Sequence, residues 1–314
     1  MTNSPAMQSM QELLDNIVEE CRPFTAEGRL ASYIPQLAAA DPGQLGAYIM
    51  DLDGRGCGSG DWQCKITIQS IVKVAIFLAV LSEMPLSLIT RFFSLNATAE
   101  SFNSLSDLEK QNAHKPLNPY INSGAMVGIS LLSGNMEQRW EKVLRLLQRV
   151  TGNNALTVNE AVFGSEKATG HRNRAIAYFM LSTNIIKDKN VEALLDVYFR
   201  LCSVEVDCRD LACFAATLIN GGVNPLSREE AASPEACRIA RSVMVSCGMY
   251  NQSGEFLVNA ALPAKSGVSG GIMATGRRRY GLGVAGPAIN EYSNSAAGLR
   301  VLERLSQELD LSII

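Results

Sequence analysis

The strand-like segments of this chain lie in two groups at opposite ends of its 314 residues, and this separation restricts the fold more than any other feature. Residues 44–52 are typical of a strand, and Asp53-Gly54 leads into a second strand, which predicts a hairpin. Strand character returns at residues 271–275 and 280–286. The economical arrangement is one antiparallel sheet built from both ends of the chain, with a helical region inserted between its strands.

Apolar residues recur at helical spacing through the middle of the chain and near both ends. The predicted helices cover residues 10–20, 29–40, 74–84, 122–132, 137–150, 172–181, 191–201, 208–219, 234–245 and 295–309. The predicted fold class is therefore α/β, of the α+β kind, with helices flanking the sheet and a large helical insertion. We divide it into a sheet-containing subdomain of residues 1–69 and 245–314 and a helical subdomain of residues 70–244.

Charge and hydropathy narrow the classes of function. A formal charge of −3 without a long Lys/Arg run gives no electrostatic footprint for nucleic acid or an anionic membrane surface. The most apolar window, residues 66–84, is interrupted by Gln69, Ser70 and Lys73 and falls short of the ~20 apolar residues of a spanning helix. Residues 1–15 are polar and lack a secretory pattern, so a cytoplasmic protein with a small-molecule or peptide substrate is expected.

The sequence offers little for a metal or a cofactor. Its eight cysteines are scattered without a CxxC, and the two histidines, His114 and His171, lie in no recognisable catalytic setting. Residues 51–54 are typical of a structural turn, and the glycine-rich residues 54–60 lack the lysine and the helix of a nucleotide loop. We expect neither metal nor cofactor.

Ser70-Ile71-Val72-Lys73 is an SxxK element at the point where a strand-like segment passes into an apolar helix. Residues three apart share a helix face, so the Lys73 amine can reach the Ser70 hydroxyl. Apolar neighbours disfavour the ammonium form, which makes Lys73 a plausible base near neutral pH. By itself, such a pair is more often a helix-capping serine with a snorkelling lysine.

Two further elements follow in the order found in serine penicillin-recognising enzymes. Tyr120-Ile121-Asn122 is a YxN, and Lys265-Ser266-Gly267 is a KSG. The small residues after Lys265 let an edge strand approach a substrate and present backbone NH donors, although a plain glycine turn is the simpler interpretation of that run alone. The three elements together indicate a serine amidohydrolase.

The chain resembles the serine-dependent glutaminases, the bacterial and mitochondrial type, of the β-lactamase-like superfamily. The resemblance runs from about residue 29 to the last predicted helix. It rests on SYIPQL at 32–37, IQSIVK at 68–73, FNS at 102–104, NPYINSGA at 118–125, SE at 165–166, RNRAIA at 172–177, YFRLCS at 198–203, CGMY at 247–250, GEF at 254–256, LPAKSGVSGGI at 262–272 and NS at 294–295.

The resemblance implies a β-lactamase/penicillin-binding-protein-like fold over residues 1–314 as one catalytic unit that hydrolyses L-glutamine to L-glutamate and ammonia. It makes Ser70 the acylated nucleophile and Lys73 the acceptor of its proton. Tyr198 and Tyr250 would line the reaction centre, and one of them would relay a proton. The backbone NH groups of Ser70 and Val268 would form the oxyanion hole.

The same resemblance implies a set of residues that holds the substrate. The amino acid end of glutamine would be bound by Tyr33, Gln69, Asn122, Glu166 and Asn173, with Ser70, Tyr198, Tyr250 and Val268 completing the site. Glu166 supplies a counter-charge to the ammonium of glutamine, and the amides and tyrosines supply neutral partners. Taken singly, the asparagines are also typical helix caps, Glu166 a surface charge and the tyrosines core aromatics.

Several positions depart from the pattern that we expect of this family. Residues 96–101 replace a Gly-rich Glu-Pro-Ser/Thr-Gly turn, and Ser269 replaces a glycine or alanine. Residues 273–280 are short and basic where an apolar segment is common, and His171 replaces an acidic or polar residue. None of these changes removes a group assigned to the chemistry.

Two alternatives stay open on the sequence. SxxK, YxN and KSG also fit a penicillin-interacting serine peptidase or β-lactamase-like hydrolase, which the polar N-terminus disfavours. The altered residues 97–100 and the altered run after Ile272 fit a catalytically silent ligand-binding protein on the same fold. The resemblance further implies a homo-oligomer, dimer or homotetramer.

Overall fold

The structure is a computed structural model that describes residues 5–32, 34–98, 100–110, 114–277 and 279–314. Tyr33, one of the predicted substrate-binding residues, lies outside the described residues. So do Ala99 in the altered loop and Arg278 in the basic turn.

Strands from both ends of the chain form one antiparallel sheet, as predicted. The strands are β1 (Gly46–Asp51), β2 (Gly56–Gly60), β3 (Ile66–Thr67), β4 (Glu205–Val206), β5 (Ala264–Ser266), β6 (Gly271–Thr275) and β7 (Tyr280–Ala285). The five-stranded sheet has the order β2-β1-β7-β6-β5, so the N-terminal hairpin pairs with the C-terminal strands through β1 and β7. Ile49 lies opposite Cys57 on one side and Leu282 on the other. β5, which carries the start of the KSG run, is therefore an edge strand.

Nine of the ten predicted helices have a counterpart among the described residues. They are α1 (Pro5–Cys21), α2 (Val72–Glu83), α3 (Leu86–Ile89), α4 (Ser106–Lys110), α5 (Asn122–Leu131), α6 (Met136–Thr151), α7 (Glu160–Thr169), α8 (His171–Ser182), α9 (Val191–Cys202), α10 (Cys208–Ile219), α11 (Pro234–Cys247), α12 (Ser253–Asn259) and α13 (Ala296–Glu308). Within the described ranges, no helix combines the length and apolarity needed to cross a bilayer.

The sheet lies between two helical layers. α1 and α13 cover one face, where Leu14 and Val18 pack with Val301 and Leu305 in a buried apolar cluster. α10 covers the other face so closely that a Cβ on Gly281 would lie 2.1 Å from the carbonyl oxygen of Ala212. Helices α2, α5, α6, α9 and α11 contribute to a second, larger cluster on that side. The Ser70 region lies where this second cluster meets the edge of the sheet.

The helix predicted over residues 29–40 is wrong. Arg29 instead forms an isolated bridge with Ile289, and the only helical turn described in this stretch is a 3₁₀ helix over Leu37–Ala39. Pro35 explains the difference, because it has no NH to donate and it disfavours helical backbone at Ile34. The apolar residues have helical spacing, but a helix over this stretch would lack the backbone hydrogen bond that the NH of residue 35 would donate.

Two elements near the site escaped the sequence patterns. β3 pairs with β4, which joins Ile66 to Val206 from a distant part of the chain. Two-residue strands carry no readable alternation, so this pairing has no signal in the sequence. α7, which carries Glu166, has a weak apolar stripe and was not predicted as a helix.

The division into a sheet-containing and a helical subdomain stays a prediction. Its first boundary falls inside the 3₁₀ helix Gln69–Ile71 and its second inside α11.

Candidate active site

Ser70 lies on a short 3₁₀ helix, Gln69–Ile71, that joins β3 to α2. The preceding residue, Gln69, has a φ of 46°, a left-handed conformation that is unusual for a residue with a side chain. Ile68 donates a backbone hydrogen bond of 2.7 Å to Val204, which fixes the entry to this turn. The turn places Ser70 at the N-terminal end of the buried α2, with 6% of its surface exposed.

Lys73 is fully buried and contacts Ser70 directly. Its Nζ lies 3.0 Å from the Ser70 Oγ and 2.6 Å from the Oδ1 of Asn122, the first residue of α5. Burial lowers the pKa of the Lys73 ammonium to about 8, with smaller opposing contributions from Cys202 and Glu166. A substantial fraction of Lys73 is therefore neutral at slightly alkaline pH and able to accept a proton.

Asn122 links this pair to a second helix. Its Nδ2 donates a hydrogen bond of 2.8 Å to the Oδ1 of Asn173, near the start of α8. A chain of polar contacts thus runs from Ser70 through Lys73 and Asn122 to Asn173. The two asparagines are not acting as side-chain caps of their helices, since neither α5 nor α8 has a side-chain cap bond.

Glu166 on α7 is 8% exposed and faces the same region. Burial raises the pKa of its carboxyl to about 7, while the hydrogen bond from Gln69 and the positive charge of Lys73 oppose that rise. Because no cation pairs with it closely among the described residues, this carboxylate is available to a cationic group of a ligand.

Tyr198 and Cys202 lie one helical turn apart on α9. The Tyr198 hydroxyl makes a hydrogen bond with the Cys202 thiol, and burial raises the pKa of that thiol to about 12. Cys202 is therefore a protonated thiol at neutral pH, and it contributes a polar but uncharged surface to the site.

The KSG run brings the edge of the sheet against the Ser70 turn. A Cβ on Gly267 would lie 3.0 Å from the Ile68 carbonyl oxygen and 3.4 Å from the Ser70 nitrogen, so only glycine leaves this approach free. Within the described ranges, no group accepts a hydrogen bond from the backbone NH of Ser70 or of Val268. Both donors are thus open to a ligand oxygen.

Tyr250 contacts both the KSG strand and Ser70. Its φ is 53°, its hydroxyl donates a 3.3 Å hydrogen bond to the Ser266 carbonyl, and it is also within hydrogen-bonding reach of the Ser70 hydroxyl. Lys265 donates 2.6 Å to the same carbonyl and lies 4.4 Å from the Tyr250 ring centre. Burial raises the pKa of Tyr250, so its phenol keeps its proton, and burial together with Lys73 lowers the pKa of Lys265 well below its usual range.

A cavity of about 310 Å³, named here the catalytic cavity, opens over Ser70. This volume is at the lower end of the ~300–1,000 Å³ of small-molecule sites. Its lining includes six of the predicted site residues: Gln69, Ser70, Asn122, Glu166, Asn173 and Tyr198. Lys73 is not part of this lining, but it contacts two residues that are, Ser70 and Asn122.

Two predicted residues lie beside this cavity and not in its lining. Tyr250 borders a small neighbouring cavity that also touches Phe102. Val268 borders a separate cavity of about 240 Å³, named here the second cavity. Both remain close to Ser70 through the contacts of Tyr250 and Gly267 described above.

Sequence reasoning missed several residues of the catalytic cavity. Phe102, Thr169, Arg172 and Cys202 all border it, and Arg172 donates 3.0 Å to the Asn103 carbonyl, which fixes one wall. Phe102, Arg172 and Cys202 belong to segments that carry the glutaminase resemblance, and this was the signal that could have found them. Their residue types alone indicate no chemistry.

Comparisons with known proteins show the family to which this chain belongs. The family described as Glutaminase matches residues 28–314. A glutaminase of Clostridium tetani is 48% identical over 305 residues, covering 97% of this chain and 99% of that protein. Glutaminase 2 of Clostridium perfringens is 46% identical, covering 97% of this chain and all of that protein.

A solved structure gives the same result for the fold. The covalent complex between a Bacillus subtilis glutaminase and 5-oxo-L-norleucine, formed by reaction with 6-diazo-5-oxo-L-norleucine, has a TM-score of 0.86 to this chain. The two are 35% identical, with 97% of this chain and 99% of that chain covered. The predicted fold class and the predicted resemblance are thereby confirmed: the chain belongs to the glutaminase family, whose fold is β-lactamase-like.

Proposed function

We propose that this chain hydrolyses L-glutamine to L-glutamate and ammonia through an ester of Ser70, with Lys73 as the base. The observation that carries this proposal is the 3.0 Å contact between Lys73 Nζ and Ser70 Oγ at the edge of a cavity of small-molecule size. In its neutral form, the amine accepts the hydroxyl proton across this contact.

Acylation follows from the surroundings of Ser70. The Ser70 Oγ forms a bond to the side-chain amide carbon of glutamine, and its proton passes to Lys73. The open NH groups of Ser70 and Val268 stabilise the negative charge that develops on the amide oxygen. The carbon–nitrogen bond then breaks, and the nitrogen leaves as ammonia after receiving a proton.

Tyr250 is the better placed of the two tyrosines to relay that proton. It is within hydrogen-bonding reach of the Ser70 hydroxyl, whereas Tyr198 bonds to Cys202. Its raised pKa keeps the phenol protonated until the leaving nitrogen becomes basic. Water then attacks the ester carbon, which releases glutamate and restores the Ser70 hydroxyl.

Glu166 would bind the α-ammonium of glutamine. The side-chain amides of Gln69, Asn122 and Asn173 would form hydrogen bonds with the oxygen atoms of glutamine, both the neutral and the anionic ones. A buried carboxylate without a cationic partner gains most from an ammonium ligand. The Bacillus subtilis relative forms a covalent complex with 6-diazo-5-oxo-L-norleucine, a glutamine analogue with a diazoketone in place of the amide. A covalent product needs a nucleophile in that relative, and this supports a nucleophilic mechanism for the present chain.

The mechanism is tested by ammonia release and by labelling. We expect Ser70→Ala and Lys73→Ala to lose most turnover, while the exposed Ser242→Ala and Lys187→Ala keep it. The mass of the wild type should increase by one 5-oxo-norleucinyl group after treatment with the diazo compound, and that of Ser70→Ala should not. Equal ammonia release by all the variants would exclude the Ser70 mechanism.

Substrate binding is tested separately. Glu166→Gln should raise KM about tenfold to a hundredfold, as expected when a buried charged hydrogen bond is lost, and change kcat less. Glu160→Gln, an exposed change on the same helix, is the matched control. A fall in kcat with unchanged KM would show that Glu166 acts in the chemistry and not in binding.

Acylation by a fluorescent penicillin without glutamine hydrolysis would instead favour the peptidase or β-lactamase alternative. Assembly into a homo-oligomer, dimer or tetramer, is a further proposal, and light scattering of the purified protein tests it.

A further inference from the structure

The left-handed backbone of Tyr250 needs support from its surroundings. Its φ of 53° is disfavoured for a residue with a Cβ and persists only where neighbouring groups hold it. Tyr250 opens a short 3₁₀ turn, Tyr250–Gln252, between α11 and α12. One support is local: the Ser253 hydroxyl donates a hydrogen bond of 2.8 Å to the Tyr250 carbonyl and accepts one of 3.0 Å from the Met249 NH.

A second support comes from a distant part of the chain. Asn294 lies just before α13 and is fully buried. Its side-chain nitrogen, Nδ2, donates 3.2 Å to the Met249 carbonyl and 2.9 Å to the Oε1 of Gln252. Met249 directly precedes Tyr250 and Gln252 follows it by two residues, so both hydrogens of one amide hold the turn on either side of Tyr250.

The segment that carries Asn294 is itself closed by hydrogen bonds. The Asn290 NH donates 2.8 Å to the Asn294 carbonyl, and the Asn294 NH donates 3.1 Å to the Oδ1 of Asn290. The Nδ2 of Asn290 also donates 3.0 Å to the Oε1 of Gln252. This one oxygen of Gln252 therefore accepts from two asparagines, which ties residues 290–294 to the turn of Tyr250.

We propose that Asn294 and Gln252 are positioning residues for Tyr250, the tyrosine that donates a proton to the leaving nitrogen. They hold the turn so that the Tyr250 hydroxyl stays 3.3 Å from the Ser266 carbonyl and within reach of Ser70. The described lining of the catalytic cavity contains neither Asn294 nor Gln252, so they act through Tyr250 and not on the substrate. This inference rests on the proposed function, because it takes the role of Tyr250 from it.

Kinetics in two backgrounds separate positioning from a general loss of stability. We expect Asn294→Ala to lower kcat for glutamine about tenfold to a hundredfold, as when reacting groups are misplaced, and to change KM less than about threefold. In Tyr250→Phe, the same change should lower the residual kcat less than about twofold, because the hydroxyl that Asn294 positions is already absent. Asn259→Ala, at an exposed position on α12, is the control and should match the wild type.

A pair of variants at Gln252 tests the same contact without changing the fully buried Asn294. Gln252→Met keeps the length of the side chain and removes the shared acceptor oxygen. It should lower kcat about threefold to tenfold, since Asn294 keeps its bond to the Met249 carbonyl. Gln252→Glu keeps an acceptor oxygen for both asparagines, so kcat should stay within about twofold of the wild type.

A ¹³C label at the Cζ of tyrosine reports on the Tyr250 phenol without turnover. Its signal is assigned by its loss in Tyr250→Phe. We expect this signal to shift in Asn294→Ala and Gln252→Met and to stay in place in Gln252→Glu and Asn259→Ala. If the wild type released no ammonia, the proposed function would fail, and the spectrum would still show whether the two residues hold the phenol.

Three results would overturn the proposal. They are an unshifted Tyr250 signal in Gln252→Met, a raised KM with unchanged kcat in Asn294→Ala, and a loss in the Tyr250→Phe background as large as in the wild type. Should Asn294→Ala prove unfolded by thermal melting, Gln252→Met replaces it in the double-variant comparison.

Discussion

Asn122 accepts a 2.6 Å hydrogen bond from the fully buried Lys73 and donates one of 2.8 Å to Asn173. A neutral acceptor at this position satisfies one proton of Lys73 without supplying a full negative charge. Burial can therefore lower the lysine pKa to about 8, whereas a carboxylate in the same place would hold the ammonium form. The choice of amide over acid at residue 122 keeps Lys73 usable as a base.

Asn122→Asp tests this relationship. The new carboxylate is nearly isosteric and should raise the pKa of Lys73 by about 1–3 units. Turnover near pH 7 should fall about tenfold or more and recover in part as the pH rises. Asn135→Asp, at an N-cap where either residue is suitable, is the control. A loss of activity of the same size at every pH would show that substrate contacts, and not the basicity of Lys73, explain the effect.

The activity of the wild type should rise with pH. Glu166, with a pKa of about 7, must be ionised to meet an ammonium, and Lys73, with a pKa of about 8, must be neutral to accept a proton. In a plot of the logarithm of kcat/KM against pH, the slope should be about two at acidic pH, and the curve should level off above about pH 8. The two ionisations are coupled, so the plot reports macroscopic pKa values of the pair. The slope should fall to about one in Glu166→Gln. A flat profile across this range contradicts both assignments.

The same lysine should weaken the fold at neutral pH. Its pKa falls from 10.5 to about 8 on folding, so between these values the unfolded chain binds a proton that the folded chain does not. Stability therefore rises with pH through this window, by about 3 kcal/mol at ~1.4 kcal/mol per pKa unit. Lys73→Met has no amine at this position, so its free energy of unfolding should lack this pH-dependent contribution.

Urea unfolding of the wild type and Lys73→Met, below pH 8 and near pH 10, measures that difference. The free energy of unfolding of the wild type should increase relative to the variant as the pH rises. Parallel pH dependence of the two proteins would mean that Lys73 is not desolvated in the folded chain.

Gly267→Ala should damage the site more than the fold. The added methyl group would approach the carbonyl oxygen of Ile68 and the nitrogen of Ser70, which displaces the turn that carries Ser70. The Ser70 hydroxyl then moves away from the Lys73 amine. We expect turnover to fall about tenfold to a hundredfold, typical of misplaced reacting groups. Gly254→Ala adds a methyl group into open space and is the matched control. Wild-type activity in Gly267→Ala would show that the edge strand tolerates displacement.

Much of the architecture was readable from periodicity and turn residues. The sheet strands at both ends and the long helices α5, α6, α9 and α10 appear within a few residues of their predicted positions. The helix predicted over residues 29–40 is absent because Pro35 is incompatible with it despite the helical spacing of the apolar residues. Helix α7 was missed because its apolar stripe is weak. Roles for Glu166, Asn173 and Tyr198 came from the family resemblance, since each residue type is also common at caps, surfaces and cores.

By itself, the sequence determined that the proposed nucleophile and the proposed base lie next to each other. Ser70 and Lys73 are three residues apart at the start of an apolar helix, and helix geometry alone brings such side chains together. Only the tertiary structure decided which groups join them. Asn122, Glu166 and the KSG strand come from distant segments, and their convergence depends on how helices and the sheet edge pack, which no local propensity encodes.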